Sequence, residues 1–118
     1  AHAYQVGFSD GDEILSGLTD LARQEGILSA QITGIGGLSS ALLAFGDPSI
    51  GSYVFKLIPV ERKSELVSLT GTISSNNGEP NVHLHAVLAL SDGSTVGGHV
   101  LELHVNPVAE VTILALGD

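Results

Sequence analysis

Three of the five histidines, His83, His85 and His99, fall within one short stretch of the chain. Residues two apart on a strand point to the same face with Cα atoms about 6.6–6.8 Å apart, so His83 and His85 can aim both imidazoles at one ion. If Ser91-Asp92-Gly93 forms a three-residue hairpin loop with Gly93 in the left-handed position, Leu90 pairs with Ser94 and His85 lies opposite His99. The third imidazole then arrives on the same face. Three neutral imidazoles leave a fourth position for water or substrate, the arrangement of catalytic rather than structural zinc, and an ion so held can activate water. The expected cofactor is therefore zinc or another divalent transition metal on His83, His85 and His99. Glu65 and Glu102 are the candidate acid–base carboxylates, since activating water requires a proton acceptor. The alternative is structural: the three are hydrogen-bonded, half-buried groups, two of which share a face only by the parity of the pleat. A one-residue slip in the hairpin would turn His99 to the other face.

The elements that must hold these residues follow from periodicity. Tyr4, Val6 and Phe8 alternate with Gln5 and Gly7 as in a half-buried strand. A helix comes next. Asp10 with Glu13 fits a capping-box start, Ile14, Leu15, Leu18, Leu21 and Ala22 form one apolar stripe, and Gly26 closes it. From Ile27 onward the pattern is strand-like: Ala30 to Gly34, Ser40 to Phe45, Tyr53 to Pro59, Glu65 to Ser74, Val82 to Leu90, Thr95 to Val105 and Val111 to Leu116. The separators Gly36-Gly37, Gly46-Asp47-Pro48, Ser75-Asn76-Asn77-Gly78 and Ser91-Asp92-Gly93 are turn formers. The expected fold class is α+β, two layers, with one main helix on a mostly antiparallel sheet of about seven strands.

The chain of 118 residues is one domain's worth, and residues 1–118 are read as a single domain. With 43% hydrophobic and 4% aromatic residues, its core must be aliphatic. Thirteen Asp and Glu against four Lys and Arg give a net charge of -9, which repels phosphate polyanions and disfavours an autonomous DNA binder. Lys56, Arg62 and Lys63 leave room only for a small basic patch. The absence of Cys excludes thiolate ligands and thiol nucleophiles. Gly34-x-Gly36 is not followed by a helical pattern, and no Gly-x-Ser-x-Gly elbow occurs. No apolar run reaches membrane-span length and the N-terminus lacks signal-peptide features, so the expectation is a cytoplasmic protein without membrane contact. One helix cannot cover the apolar strands Ala86 to Leu90 and Val111 to Leu116, so a homo-oligomer is expected.

The run Pro80-Asn81-Val82-His83-Leu84-His85, then Asp92-Gly93, then Val96-Gly97-Gly98-His99-Val100 resembles the plant and prokaryote conserved domain, in its stand-alone prokaryotic form. Gly11-Asp12-Glu13-Ile14 is similar to the family's helix start, Thr33-Gly34-Ile35-Gly36-Gly37-Leu38 to its glycine-rich strand end, Glu65 through Thr72 to its central strand, and Glu110-Val111 to the pair that opens its last strand. The resemblance covers essentially the whole chain. It implies a mainly antiparallel α/β fold assembled as a homotrimer. It also implies a likeness to acetolactate decarboxylase, in which a comparable His-x-His and later His hold zinc; His83, His85 and His99 are the matching positions. The plant members' Gly-Arg-Phe-Glu partner motif reads Arg62-Lys63-Ser64-Glu65 here, and no Arg-Gly-Arg-Pro hook for the minor groove is present. Two functions remain. One is a trimer with a three-His metal site that binds or transforms a small molecule, as a hydrolase or lyase if it is an enzyme. The other is a regulatory or scaffold module that reaches DNA through partners, without catalysis.

Overall fold

In the computed structural model, which describes residues 1–46 and 55–117, the chain runs β1 (His2–Ser9), α1 (Ile14–Glu25), β2 (Ala30–Phe45), β3 (Lys56–Val60), β4 (Ser64–Asn76), β5 (Glu79–Ala89) and β6 (Thr95–Ala115). Six antiparallel strands form one sheet in the order β1-β6-β5-β4-β2-β3, and β2 also pairs with β6. The pairings β2–β6, β6–β5, β5–β4 and β4–β2 therefore close into a ring, with β1 and β3 attached outside it. The α+β class, the single helix and the antiparallel sheet agree with the sequence. The strand number does not: six are present where about seven were expected.

The sequence marks out eight strand-like segments, and two mergers bring them to six. Ala30 to Gly34 and Ser40 to Phe45 are one strand, because Gly36-Gly37 is not a turn. The ladder with β4 shifts register between Gly34 and Gly36, and the ladder with β6 shifts again between Gly36 and Ser40. Such bulges bend a strand without ending it. Likewise Thr95 to Val105 and Val111 to Leu116 are one strand, β6, so Glu110-Val111 lies within a strand and does not open one. Asp47 and Pro48 of the expected turn, and Tyr53 and Val54 of the expected strand start, lie outside the described residues.

The β4–β5 connection is the two-residue Asn77-Gly78 loop, with φ of 52° and 82°. Positive φ at both residues matches the twist of the flanking strands, which makes this a tight hairpin. The interior is aliphatic, as composition required. Leu84 and Leu88 of β5, Val100, Leu103 and Ile113 of β6, and Ile14 and Leu18 of α1 are essentially inaccessible to solvent. Leu15 and Leu21 pack at the margin of this core.

The helix start differs from the expected capping box. Ser9 and Asp12 form a turn, Asp12 N–H donating to the Ser9 carbonyl at 3.0 Å and Ser9 N–H to Asp12 Oδ2 at 2.8 Å. That turn moves the first helical residue to Ile14 and makes Glu13 the N-cap. The Glu13 carboxylate accepts from the N–H groups of Leu15 at 3.0 Å and Ser16 at 2.7 Å, and from Leu103 N–H of β6 at 2.8 Å. Asp10 instead accepts from Asn106 Nδ2 at 2.9 Å. At the other end Gly26 takes φ of 68°, the left-handed stop anticipated there.

Glu13 thus joins helix to sheet through one carboxylate. Glu13→Ala removes a cap and leaves the Leu103 N–H without its acceptor, so the variant is expected to lose about 2–3 kcal/mol of unfolding free energy. Urea denaturation measures it, and an unchanged midpoint would show that the cap contributes little.

Candidate metal centre

Two hairpins bring the three histidines together. In the β5–β6 hairpin Leu90 N–H donates to the Ser94 carbonyl at 2.8 Å, and Gly93 sits at φ 86°, as the three-residue loop required. Asp92 secures the loop. Its carboxylate accepts from Ser94 Oγ at 2.6 Å and Ser94 N–H at 2.9 Å. These bonds, the hydroxyl's first, hold the Asp92 carboxyl below the ordinary value of 3.8. Counting back from the loop, His85 pairs with His99. Leu84 and Ala86 point into the core, so His83, His85 and His99 share the outer face.

Their ligating nitrogens all lie within 4.8 Å of one another, and His83 Nε2 and His85 Nε2 are 3.2 Å apart. The ring centroids are separated by 5.0 Å (His83–His85), 5.1 Å (His83–His99) and 5.6 Å (His85–His99). Nitrogens bound tetrahedrally to zinc at about 2.0–2.1 Å stand about 3.3–3.4 Å from each other. One pair is thus already at ligand spacing, and the half-buried His99 ring stands beside it as the third. Three convergent imidazoles, with no thiolate, fit zinc, nickel, copper or iron better than calcium or magnesium, which take oxygen donors.

Backbone packing holds His99 in place. A Cβ on Gly98 would lie 2.6 Å from the Ala44 carbonyl oxygen, closer than any real contact, so only glycine lets β6 run this near β2 beside His99. On the other flank β4 places Thr70 opposite His85 and Thr72 opposite His83. Neither threonine was singled out from the sequence. The signal was present, because the Asn77-Gly78 turn sets Asn76 against Glu79, and the same register pairs residue 70 with 85 and 72 with 83.

The two candidate carboxylates are not in the cluster. Glu102 is exposed on β6, three residues beyond His99, and its Oε1 lies 2.8 Å from His104 Nε2. An ionised carboxylate only accepts, so this ring nitrogen carries the proton. His104 is therefore the partner that orients Glu102. Glu65 is exposed on β4, paired with Gly37 and Ala89. Ala89 is four residues along β5 from His85, about 13 Å by the rise of a strand. His2 stacks against Tyr4 at 4.7 Å, away from the centre.

The family described as Plants and Prokaryotes Conserved (PCC) domain matches residues 1–117. No curated protein sequence matches the chain. Among solved structures, the chain is similar to a plant- and prokaryote-conserved protein of Pyrococcus horikoshii, at 33% identity and TM-score 0.86 over 100% of this chain and 81% of that one. It is also similar to a metal-containing protein of Archaeoglobus fulgidus, at 26% identity and TM-score 0.86 over 99% and 81% of the two chains. A third similar structure, named as a candidate DNA-binding protein, comes from Bacteroides thetaiotaomicron, at 32% identity and TM-score 0.86 over 98% and 80%.

The close approach at Gly98 makes the geometry testable. Gly98→Ala must push β6 from Ala44, with an expected cost of about 1–3 kcal/mol. Cobalt titration followed by visible absorption should show weaker binding than wild type even where the variant remains folded by circular dichroism. An unchanged titration would mean that His99 does not depend on this contact.

Proposed function

This chain belongs to the Plants and Prokaryotes Conserved domain family, and from that membership we propose that it is a metal-dependent protein whose His83, His85 and His99 hold one divalent transition metal and present it to a small molecule. The observation that carries the reading is the convergence of three imidazole nitrogens within 4.8 Å on an accessible sheet face. When bound, such a metal supplies Lewis-acid polarisation of a ligand oxygen. The chain's own residues supply the rest. The two hairpins orient the rings, and of the two carboxylates outside the cluster Glu102, aligned by His104, is the one we assign to proton transfer, through an intervening water, Glu65 being too far along the sheet to reach the centre. A hydrolase or a lyase of the decarboxylase kind fits a three-nitrogen site with an open position, and zinc is the metal we take first.

Elemental analysis of protein purified without chelator is expected to find about one metal per chain. His83→Ala and His99→Ala should lose it, whereas Glu65→Gln and Glu102→Gln, which alter no ligand, should keep it. Wild-type protein that stays metal-free after incubation with zinc would overturn the reading.

Self-association belongs to the same proposal. Phe45, Phe55 and Leu57, 72%, 43% and 50% exposed, gather at the β2–β3 end of the sheet. Apolar groups so placed suit contact between copies of the chain, and a homotrimer is the assembly we propose. The competing reading, a module acting on DNA, has the name of the Bacteroides structure in its favour and the net charge of -9 against direct contact. Sedimentation at micromolar concentration should give a trimer mass, and a DNA column at low salt should not retain the protein. A monomer would refute the assembly, and retention lost steeply with salt would favour the DNA reading.

A further inference from the structure

Beyond the histidines, one row of polar residues crosses the outer face in unbroken register. Gln5 pairs with Thr112, Thr112 with Thr33, Thr33 with Thr70, Thr70 with His85, and His85 with His99. Directly paired residues point the same way with Cβ atoms about 4.5–5.5 Å apart, so the row is continuous and ends in two of the three imidazoles. Strand β6 supplies both Thr112 and His99, so the row follows the closed ring of strands.

The surface over this row is hollowed. A concavity of about 430 Å³ is lined by Gln5, Thr33, Thr70 and Thr112 among others, and a second of about 220 Å³ by His85, Val87 and Gly97. Ser68 and Thr70 line both, so the two hollows adjoin as a trough that reaches His85. Threonine is common on strands for packing reasons alone. Strand preference does not explain the rest of the lining. No Lys or Arg borders either hollow, and the one charged group is Glu110 at the end away from His85. Hydroxyls and an amide both donate and accept, whereas a carboxylate without a cation beside it disfavours an anionic ligand. Along one side Ile35, Val67 and Val87 expose 54%, 51% and 40% of their surface, an apolar border suited to C–H faces.

We propose that this trough binds an uncharged, hydroxyl-rich small molecule of the polyol or sugar class and delivers one of its oxygens to the histidine centre. The proposal rests on the metal-centre reading for its second half. Thr33 and Thr70 hydrogen-bond the ligand's hydroxyls, Ser68 does so at the junction of the hollows, and Val87 packs against its carbon skeleton.

The test uses full-length protein whose metal content has first been measured, titrated with xylitol and glucose as neutral probes and gluconate as the anionic comparator. Methyl-resolved NMR follows Thr33, Thr70, Thr112 and Val87. Saturable shifts at these methyls with the neutral probes are expected, and Thr33→Val and Thr70→Val should each weaken binding about three- to tenfold, the worth of one neutral hydrogen bond, while metal content stays unchanged. Tighter binding of gluconate than of glucose would overturn the assignment of a neutral ligand. The absence of shifts in protein shown to be metal-loaded would overturn the trough while leaving the metal centre standing. Protein that takes up no metal yet shows the threonine shifts would overturn delivery to the centre together with the metal reading.

Discussion

The long antiparallel ladder between β2 and β6 is the constraint on which the rest of the molecule depends. It runs from Ala30 against Ala115 to Ala44 against His99. Each strand has a second partner on its other side, so the backbone groups of both are paired along most of their length, as a buried sheet requires. Because β4 lies on β2 and β5 on β6, pairing β4 with β5 closes the ring. Closure leaves β1 and β3 as the only edges among the described strands. It also gives every strand one face toward the aliphatic core and one away from it, and the second face is the one available for chemistry.

Glycine at the close approaches makes this ladder possible. At Gly98 the Ala44 carbonyl occupies the space a side chain would need, and on β2 the ladder shifts register around Gly34 and Gly36. The bulges bend β2 and β6 enough to meet partners on both sides without interrupting either strand. The helix is fastened to this frame by Glu13, whose carboxylate serves two helical N–H groups and one on β6. The histidine face therefore rests on a layer whose position is set from both sides.

The histidine cluster is built largely from register. A Gly93 loop sets His85 against His99, and an Asn77-Gly78 loop sets the threonines of β4 against the histidines of β5. Short loops with positive φ admit few registers, so the alignment of the rings is decided at the turns rather than at the rings themselves. The acidic balance of the chain acts in the same direction. With four basic residues in 118, and none bordering the trough, a bound metal would be the main positive charge on this face.

Much of this was legible in the sequence. The spacing of His83 and His85 puts them on one face of any strand, Gly93 sets the hairpin that adds His99, and the stripe from Ile14 to Ala22 has one helical reading. All of these are local, resting on pleat parity, turn φ or helical period. Gly36-Gly37 and the stretch before Glu110 look locally like breaks, and only partners on both sides keep β2 and β6 extended through them. The N-cap lies three residues beyond Asp10, at Glu13, because the Ser9–Asp12 turn competes with the helix for the same segment. Glu65 and Glu102 stand out in the sequence for their chemistry alone. Their distance from the rings, like the pairing of Glu102 with His104, depends on bulges and inter-strand offsets that no local pattern encodes. The sequence by itself thus determined which residues form the histidine face. Tertiary structure alone decided that this face closes into a ring and carries a threonine row to the histidines, because the β2–β6 and β2–β4 contacts join residues distant in the chain whose register is settled only by packing the whole core.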